Sequence, residues 1–402
     1  MTTPTANSET VTSSGIAHRF SAYLRRQTSG RTYVPEVDGL RFIAILSVVV
    51  FHIAVQVPEQ PNGYRIANIL SPFVHNGYRG VQLFFVISGF ILGLPFARHR
   101  LTGDSAMRLR AYFLRRVTRL EPPYFAIMLI RAALAIAILH KTAGIIVPHL
   151  LASLLYAHNL IYGRDSVINP PAWSLEVEIQ FYLLAPLIAW LLFSIRRAGW
   201  RRCLMLILIV AIGVLQQLFI APDSRPALSI VYWIQDFLAG FVLCDLFIVD
   251  WKSIPSHWIW DIACLPLWLW VFWWNSEWYR VLLPLACIVL YIGAFKGPLQ
   301  RAFFRNPIIA LTGGMCYSIY LTHNLTLTVA LRLFRRLSSQ PSPNIPGVCV
   351  ISAFVVLLAF GVGLLFYVAL ERPCMERDWP QKLAARIRAR LPQPAPSLDK
   401  SL

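Results

Sequence analysis

The sequence predicts an all-α fold, a polytopic membrane helical bundle of about ten transmembrane helices plus one re-entrant or interfacial segment. Composition is the first ground. Hydrophobic residues make up 57% of the 402 and charged residues 14%, where soluble domains carry about a quarter charged. Length is the second. Apolar runs of about 20 residues, enough to cross a ~30 Å hydrocarbon core as a helix, recur along the chain. The third is the placing of the arginines, which gather between those runs.

Ten runs can span: Val37–Val57, Gly80–Ala97, Leu120–Leu139, Trp173–Ile195, Cys203–Ala221, Ala227–Val249, Trp258–Trp274, Trp278–Phe295, Pro307–Ala330 and Ile345–Leu370. An eleventh, Ala143–Leu160, is interrupted by Pro148, His149 and His158. Residues 1–36 are polar, with no apolar leader core before Val37, so no cleavable signal peptide is expected. Within them Ile16–Arg26 mixes apolar and basic residues, which suits either an anionic membrane surface or a solvated tail. The chain thus divides into an N-terminal tail (1–36), a membrane domain (37–371) and a basic C-terminal tail (372–402).

Four basic clusters set the orientation: Arg98 to Arg119; Arg196, Arg197, Arg201 and Arg202; Lys296, Arg301 and Arg305; and Arg372 to Arg390. All four fall on the cytoplasmic side only if Ala143–Leu160 does not fully cross. Both termini are then cytoplasmic, in a plasma membrane. Arg332, Arg335 and Arg336 fall on the far side and break the rule, as anchors or acceptor-side contacts.

The net charge of +18 reflects this topology rather than a nucleic-acid surface, because the arginines lie between apolar segments and not on a compact domain. Seven cysteines, spread through the apolar segments with no CxxC pair, indicate neither a metal site nor a disulfide framework. The lipid bilayer is the one partner that composition implies, and oligomeric state cannot be read.

The most informative stretch is Val37 to His52, an apolar helix with Arg41 near its start and His52 eleven residues on. Eleven steps make about three turns, so the two share a face ~16 Å apart. If the helix spans, Arg41 sits at an interface and His52 near the midplane, where an ionisable group is costly and points to function. A lone histidine packs a core as readily, and a lone arginine snorkels. Arg116 and Arg119, at i and i+3 before the third span, form a fork suited to phosphate, although such a pair also reads as plain positive-inside charge. Further on, Trp173-Ser174-Leu175-Glu176-Val177-Glu178-Ile179-Gln180-Phe181-Tyr182 opens a span with two carboxylates, which must face protein or water.

Together these motifs resemble the acyltransferase-3 family of integral membrane O-acyltransferases. The likeness runs in order from Asp38-Gly39-Leu40-Arg41 and His52 through Phe84-Phe85-Val86-Ile87-Ser88-Gly89-Phe90, the Arg116/Arg119 pair and Trp173 to Tyr182. It extends to Gly313-Gly314-Met315-Cys316-Tyr317-Ser318-Ile319-Tyr320-Leu321-Thr322-His323 and Glu371-Arg372-Pro373. The resemblance implies transfer of an acyl group, acetyl by default, from cytoplasmic acyl-CoA to a hydroxyl of a cell-surface glycan or related glycosylated acceptor. Acyl-CoA is then a co-substrate and no cofactor is permanently bound. Glu176, Ile179 and Asp236 depart from the family pattern and leave open whether Glu176, Glu178 or Asp236 partners the histidine. Some relatives carry a fused extracytoplasmic hydrolase-like domain, which is not expected here.

Acyl transfer to an alcohol needs a base near neutrality, which His52 would supply as general base, with Glu178 as the second catalytic candidate. An acyl-histidine intermediate remains compatible with the same residues. Arg41, Arg116 and Arg119 would hold the acyl-CoA phosphates. Trp173, Ser174, Asp236, Tyr317 and His323 are support candidates, whose structural role of packing and interhelical hydrogen bonding stands beside the functional one. Ser88, Ser174 and Ser318 are weaker nucleophiles, lacking an elbow pattern, and Glu371 reads as a structural ion-pair partner. The rival function is a transporter or flippase using midplane His52, Glu178 and Asp236 as a proton relay; no internal repeats support it.

Overall fold

The computed structural model describes residues 24, 33–56, 71–222, 224–274, 278–337, 345–376, 378–382 and 385. The Ile16–Arg26 stretch apart from Leu24, and most of the basic C-terminal tail, lie outside the described residues. Among those described, every regular element is a helix. By length and composition seven helices can cross a membrane: Pro35–Gln56, Ser71–Thr102, Leu109–Ala137, Pro170–Phe193, Ala198–Phe219, Tyr279–Lys296 and Cys349–Cys374. This is an all-α polytopic membrane bundle.

In chain order the elements are α1 (Pro35–Gln56), α2 (Gly80–Thr102), α3 (Leu109–Ala137), α4 (Ala143–Leu154), α5 (His158–Tyr162), α6 (Trp173–Phe193) and α7 (Ala198–Phe219). They continue with α8 (Ile234–Val249), α9 (Ile259–Trp273), α10 (Tyr279–Lys296), α11 (Pro298–Phe304), α12 (Pro307–Gly314), α13 (Cys316–Leu337) and α14 (Ile345–Phe366). Prolines inside α2, α3, α6, α9 and α10 are tolerated because neighbouring helices satisfy the freed backbone groups. The α2 helix stops at Gly103, whose φ of 77° suits glycine.

Three expected spans take another form. Residues 227–233 wind as two 3₁₀ turns before α8, which leaves a 16-residue helix. Residues 259–273 give a 15-residue helix. The run 307–330 is broken at Met315 into the short α12 and the polar-faced α13. The break lies where Gly313 touches α1 so closely that a Cβ there would meet the Asp38 carbonyl oxygen at 1.7 Å. The Ala143–Leu160 segment holds α4, whose 12 residues reach only ~18 Å, then a break and the five-residue α5.

Two packing features position the site. The first is the pair α1 and α13. His52 meets His323, and the Thr328 hydroxyl lies 3.4 Å from the Gln56 side chain, so the helices run parallel in constant register. Because α1 begins at Pro35, His52 lies ~26 Å along a ~32 Å helix. The second is the contact of α2 with α8. Cβ atoms on Gly89 and Gly240 would fall 2.2 Å from the Phe237 oxygen and 2.4 Å from the Val86 oxygen. Between these helices Phe85 and Phe181 stack on Phe237, centroids 4.7 and 4.0 Å apart. At the end of α14 the backbone widens into a π turn over Tyr367–Glu371.

Candidate active site

The geometry begins with two imidazoles. His52 Nδ1 lies 2.8 Å from the Val48 carbonyl oxygen, one turn back on its own helix. A carbonyl only accepts, so Nδ1 donates and Nε2 keeps its lone pair. His323 repeats the arrangement, with Nδ1 2.7 Å from the Tyr320 oxygen and 3.2 Å from that of Ile319. Its Nε2 is buried and has no partner among the described residues. The two rings meet edge to face with centroids 4.9 Å apart. Each helix therefore holds its ring by Nδ1.

Polar groups continue from this pair toward the other end of the bundle. One turn before His323, the Tyr320 hydroxyl donates to the Pro171 carbonyl and lies 2.7 Å from Ser174 Oγ. Trp173 packs against Phe85 and Trp233. One turn along α6 from Ser174, Glu178 accepts from Ser88 Oγ at 2.6 Å and from the Tyr182 hydroxyl at 2.7 Å. Over the Tyr182 ring lies the Arg116 guanidinium, 4.8 Å from the centroid and 5.1 Å from that of Tyr112. Beyond it Arg119 faces Glu371 at 3.8 Å. Glu371 also accepts from the Ser318 hydroxyl at 2.6 Å and its backbone N–H at 3.2 Å. The Tyr317 hydroxyl donates to the Leu120 carbonyl at 2.8 Å. A column of polar side chains thus joins the arginine pair to the imidazole pair.

Other expected residues lie elsewhere. Glu176 and Glu178 are two residues apart and so leave the helix on opposite faces. Glu176 is fully buried and accepts from the Asn159 backbone N–H at 2.8 Å, away from His52. Asp236 is fully buried on α8, with Gln82 and Arg280 as its electrostatic neighbours. Arg280 in turn stacks 3.5 Å over Tyr232. None of the three carboxylates acts on His52, whose partners are the Val48 carbonyl and the rings of Phe51 and His323. Arg41 is buried and paired with Asp38 at 2.5 Å, so its charge is already answered within α1. Two clefts, of about 330 Å³ beside Glu36, Lys296 and Arg301 and about 460 Å³ beside Arg100 and Trp190, do not touch either imidazole.

Sequence reasoning passed over Arg131 and Asn324. Arg131 donates to the Ile168 carbonyl through Nε and to Asn324 Oδ1 at 3.3 Å through Nη2. The signal was present, since it is the only charged residue in the run 122–139. Among the described residues no group of three or more His, Cys, Asp or Glu could hold a metal ion.

A family model described as an acyltransferase domain matches residues 34–365, a span that contains every element of this column up to α14. The chain belongs to the acyltransferase-3 family. Among its relatives, the O-acetyltransferase OatA of Staphylococcus aureus (strain NCTC 8325 / PS 47) is 25% identical over 321 residues, 72% of this chain and 50% of that protein. The peptidoglycan O-acetyltransferase OatA of Listeria monocytogenes is 25% identical over 194 residues, 46% of this chain and 28% of that protein. The chain spans between a quarter and a half of the length of these relatives. No solved structure matches it.

Proposed function

We propose that this acyltransferase-3 protein is a membrane O-acyltransferase that moves an acyl group, acetyl by family analogy, from cytoplasmic acyl-CoA to a hydroxyl of a cell-surface glycan or related glycosylated acceptor. The observation that carries the reading is the continuous column from Arg116 and Arg119 to the His52–His323 pair. A donor that must stay at one end and an acceptor that stays at the other need a polar path across an apolar bundle, and ionisable groups so placed are costly unless used. The peptidoglycan named for the Listeria relative supports a carbohydrate acceptor. Orientation follows from the basic clusters, with both ends of the chain and the arginine pair on the cytoplasmic side of an inner membrane.

In this reading Arg116 and Arg119 bind the CoA phosphates and Arg41 with Asp38 braces the start of α1. Glu178, tied to Ser88 and Tyr182, balances the charge of Arg116 midway along the path. The acceptor hydroxyl reaches His52 Nε2, which takes its proton as the oxygen attacks the thioester carbonyl carbon. The tetrahedral intermediate then collapses, the C–S bond breaks, and the departing CoA sulfur takes that proton back from the imidazolium. His323 stands edge to face beside it and fixes the position of the His52 ring.

Release of CoA from acetyl-CoA by the purified protein with an acceptor sugar tests this reading, since a transporter using the same residues releases none. His52→Gln is expected to fold and bind acetyl-CoA yet turn over about 10²–10⁴-fold more slowly, because an amide cannot take the proton. A stable His52→Gln protein with wild-type turnover refutes the assignment.

A further inference from the structure

Arg131 is a cation inside the membrane helix α3, six residues before its end at Ala137 and so ~9 Å in. A charge at such depth ordinarily has a counter-ion. Among the described residues it has none. Its hydrogen-bond partners are both neutral, the Ile168 carbonyl and the Asn324 side-chain oxygen, and the third nitrogen, Nη1, is buried with no partner among them. No carboxylate acts on the guanidinium.

Its two partners adjoin two further unfilled polar groups. Ile168 is followed by Asn169, fully buried with neither amide atom bonded. Asn324 is preceded by His323, fully buried with Nε2 unbonded, and the charge of Arg131 acts on that ring. One guanidinium thus bridges the loop before α6 and the catalytic face of α13, with its own Nη1 open and its charge acting on an imidazole whose Nε2 is open. Two unpaired buried polar groups side by side cost stability unless a ligand completes them.

From this clustering we infer that Arg131 is an anion-binding residue of the acceptor site, and that the acceptor is an anionic sugar whose carboxylate or phosphate it holds while a hydroxyl meets His52. This rests on the O-acyltransferase reading and names its acceptor class. The guanidinium supplies the charge. The Asn169 amide, which both donates and accepts, suits a neighbouring sugar hydroxyl. A structural clasp alone would account for the bonds to Ile168 and Asn324 but leaves Nη1 and the missing counter-ion without a use.

The test is equilibrium binding of three probes to the purified full-length protein: methyl β-glucuronide for a carboxylate, glucose 1-phosphate for a phosphate, and methyl β-glucoside as the neutral analogue. Wild-type protein is expected to bind at least one anionic probe about tenfold or more tightly than the neutral one, the tighter of the two naming the anion. Arg131→Gln should bring that ratio close to one, and Arg131→Lys should keep part of it, because an ammonium retains the charge without the fork. Equal binding of all three probes by wild-type protein, or binding of none, overturns the inference and needs no variant. A ratio unchanged in Arg131→Gln, with only a lower melting temperature, makes the residue a clasp and overturns it too. CoA release assayed separately keeps the two readings apart. Anion preference without CoA release refutes the transferase, whereas CoA release without anion preference refutes the role of Arg131.

Discussion

Gly89→Ala adds one methyl group where α2 meets α8, and the structure gives the size of the collision. The new Cβ would lie 2.2 Å from the Phe237 carbonyl oxygen, 2.9 Å from its carbon and 3.0 Å from its Cα. Non-bonded heavy atoms rest about 3.5 Å or more apart, so the helices must separate by roughly 1 Å. Phe237 cannot give way, because its ring is stacked between Phe85 and Phe181 and the obstacle is backbone. Overpacking of this kind costs about 1–3 kcal/mol, and the better helix propensity of alanine offsets up to about 1 kcal/mol. The neighbouring residue, Ser88, donates to Glu178, so a shift of that size should also lower turnover by about 10²-fold. Gly361→Ala is the control, since its Cβ would meet nothing within 4 Å. Thermal unfolding in detergent, followed by tryptophan fluorescence, and acetyl-CoA-dependent CoA release should separate the two variants. A Gly89→Ala protein that melts with Gly361→Ala and turns over normally refutes the packing argument.

Single contacts give the other expected outcomes. Arg116→Ala should weaken acetyl-CoA binding by about 1.5–3 kcal/mol, the worth of a charge-assisted contact, with Arg116→Lys intermediate; unchanged affinity by equilibrium binding reduces Arg116 to a topology signal. Asp245 is fully buried and pairs with Arg201 and, at 2.5 Å, with Arg202. Asp245→Ala strands the buried Arg201 and should cost about 3–5 kcal/mol, read as a large drop in melting temperature with CoA affinity unchanged in the protein that remains folded.

The helical class was legible because composition and run length report burial in lipid directly. Where a span starts and stops was less so. Nothing in the hydropathy of residues 307–330 marks a break at Met315, because its setting is the close approach of Gly313 to Asp38, a tertiary contact. The start of the first helix differs for a related reason: Pro35, Glu36 and Asp38 belong to it, where acidic residues in a first turn are favoured. The motif residues Tyr317, Tyr320 and His323 were found from the pattern, but not their directions. Tyr320 reaches Ser174, Tyr317 reaches Leu120, and His323 faces His52. Two carboxylates two residues apart could not be told apart in sequence, and the helix sends Glu178 to the column and Glu176 to Asn159. Arg131 was overlooked because one arginine in an apolar run carries no spacing to read.

The π turn at Tyr367–Glu371 bears on how this chain tolerates insertions and deletions. Each residue of an α-helix turns the chain beyond it by about 100°, and a π turn holds one residue more than the α turn it replaces. Losing a single residue from 367–370 would restore regular α geometry and leave the apolarity of the segment unaltered. Four α residues turn the chain about as far as the five of a π turn, so Glu371 would keep its bearing on Ser318 and Arg119. The π turn is therefore the place where this segment can lose a residue silently, whereas one lost from the regular helix at 349–366 would turn Glu371 by about 100° and unfasten the arginine-rich end of the bundle.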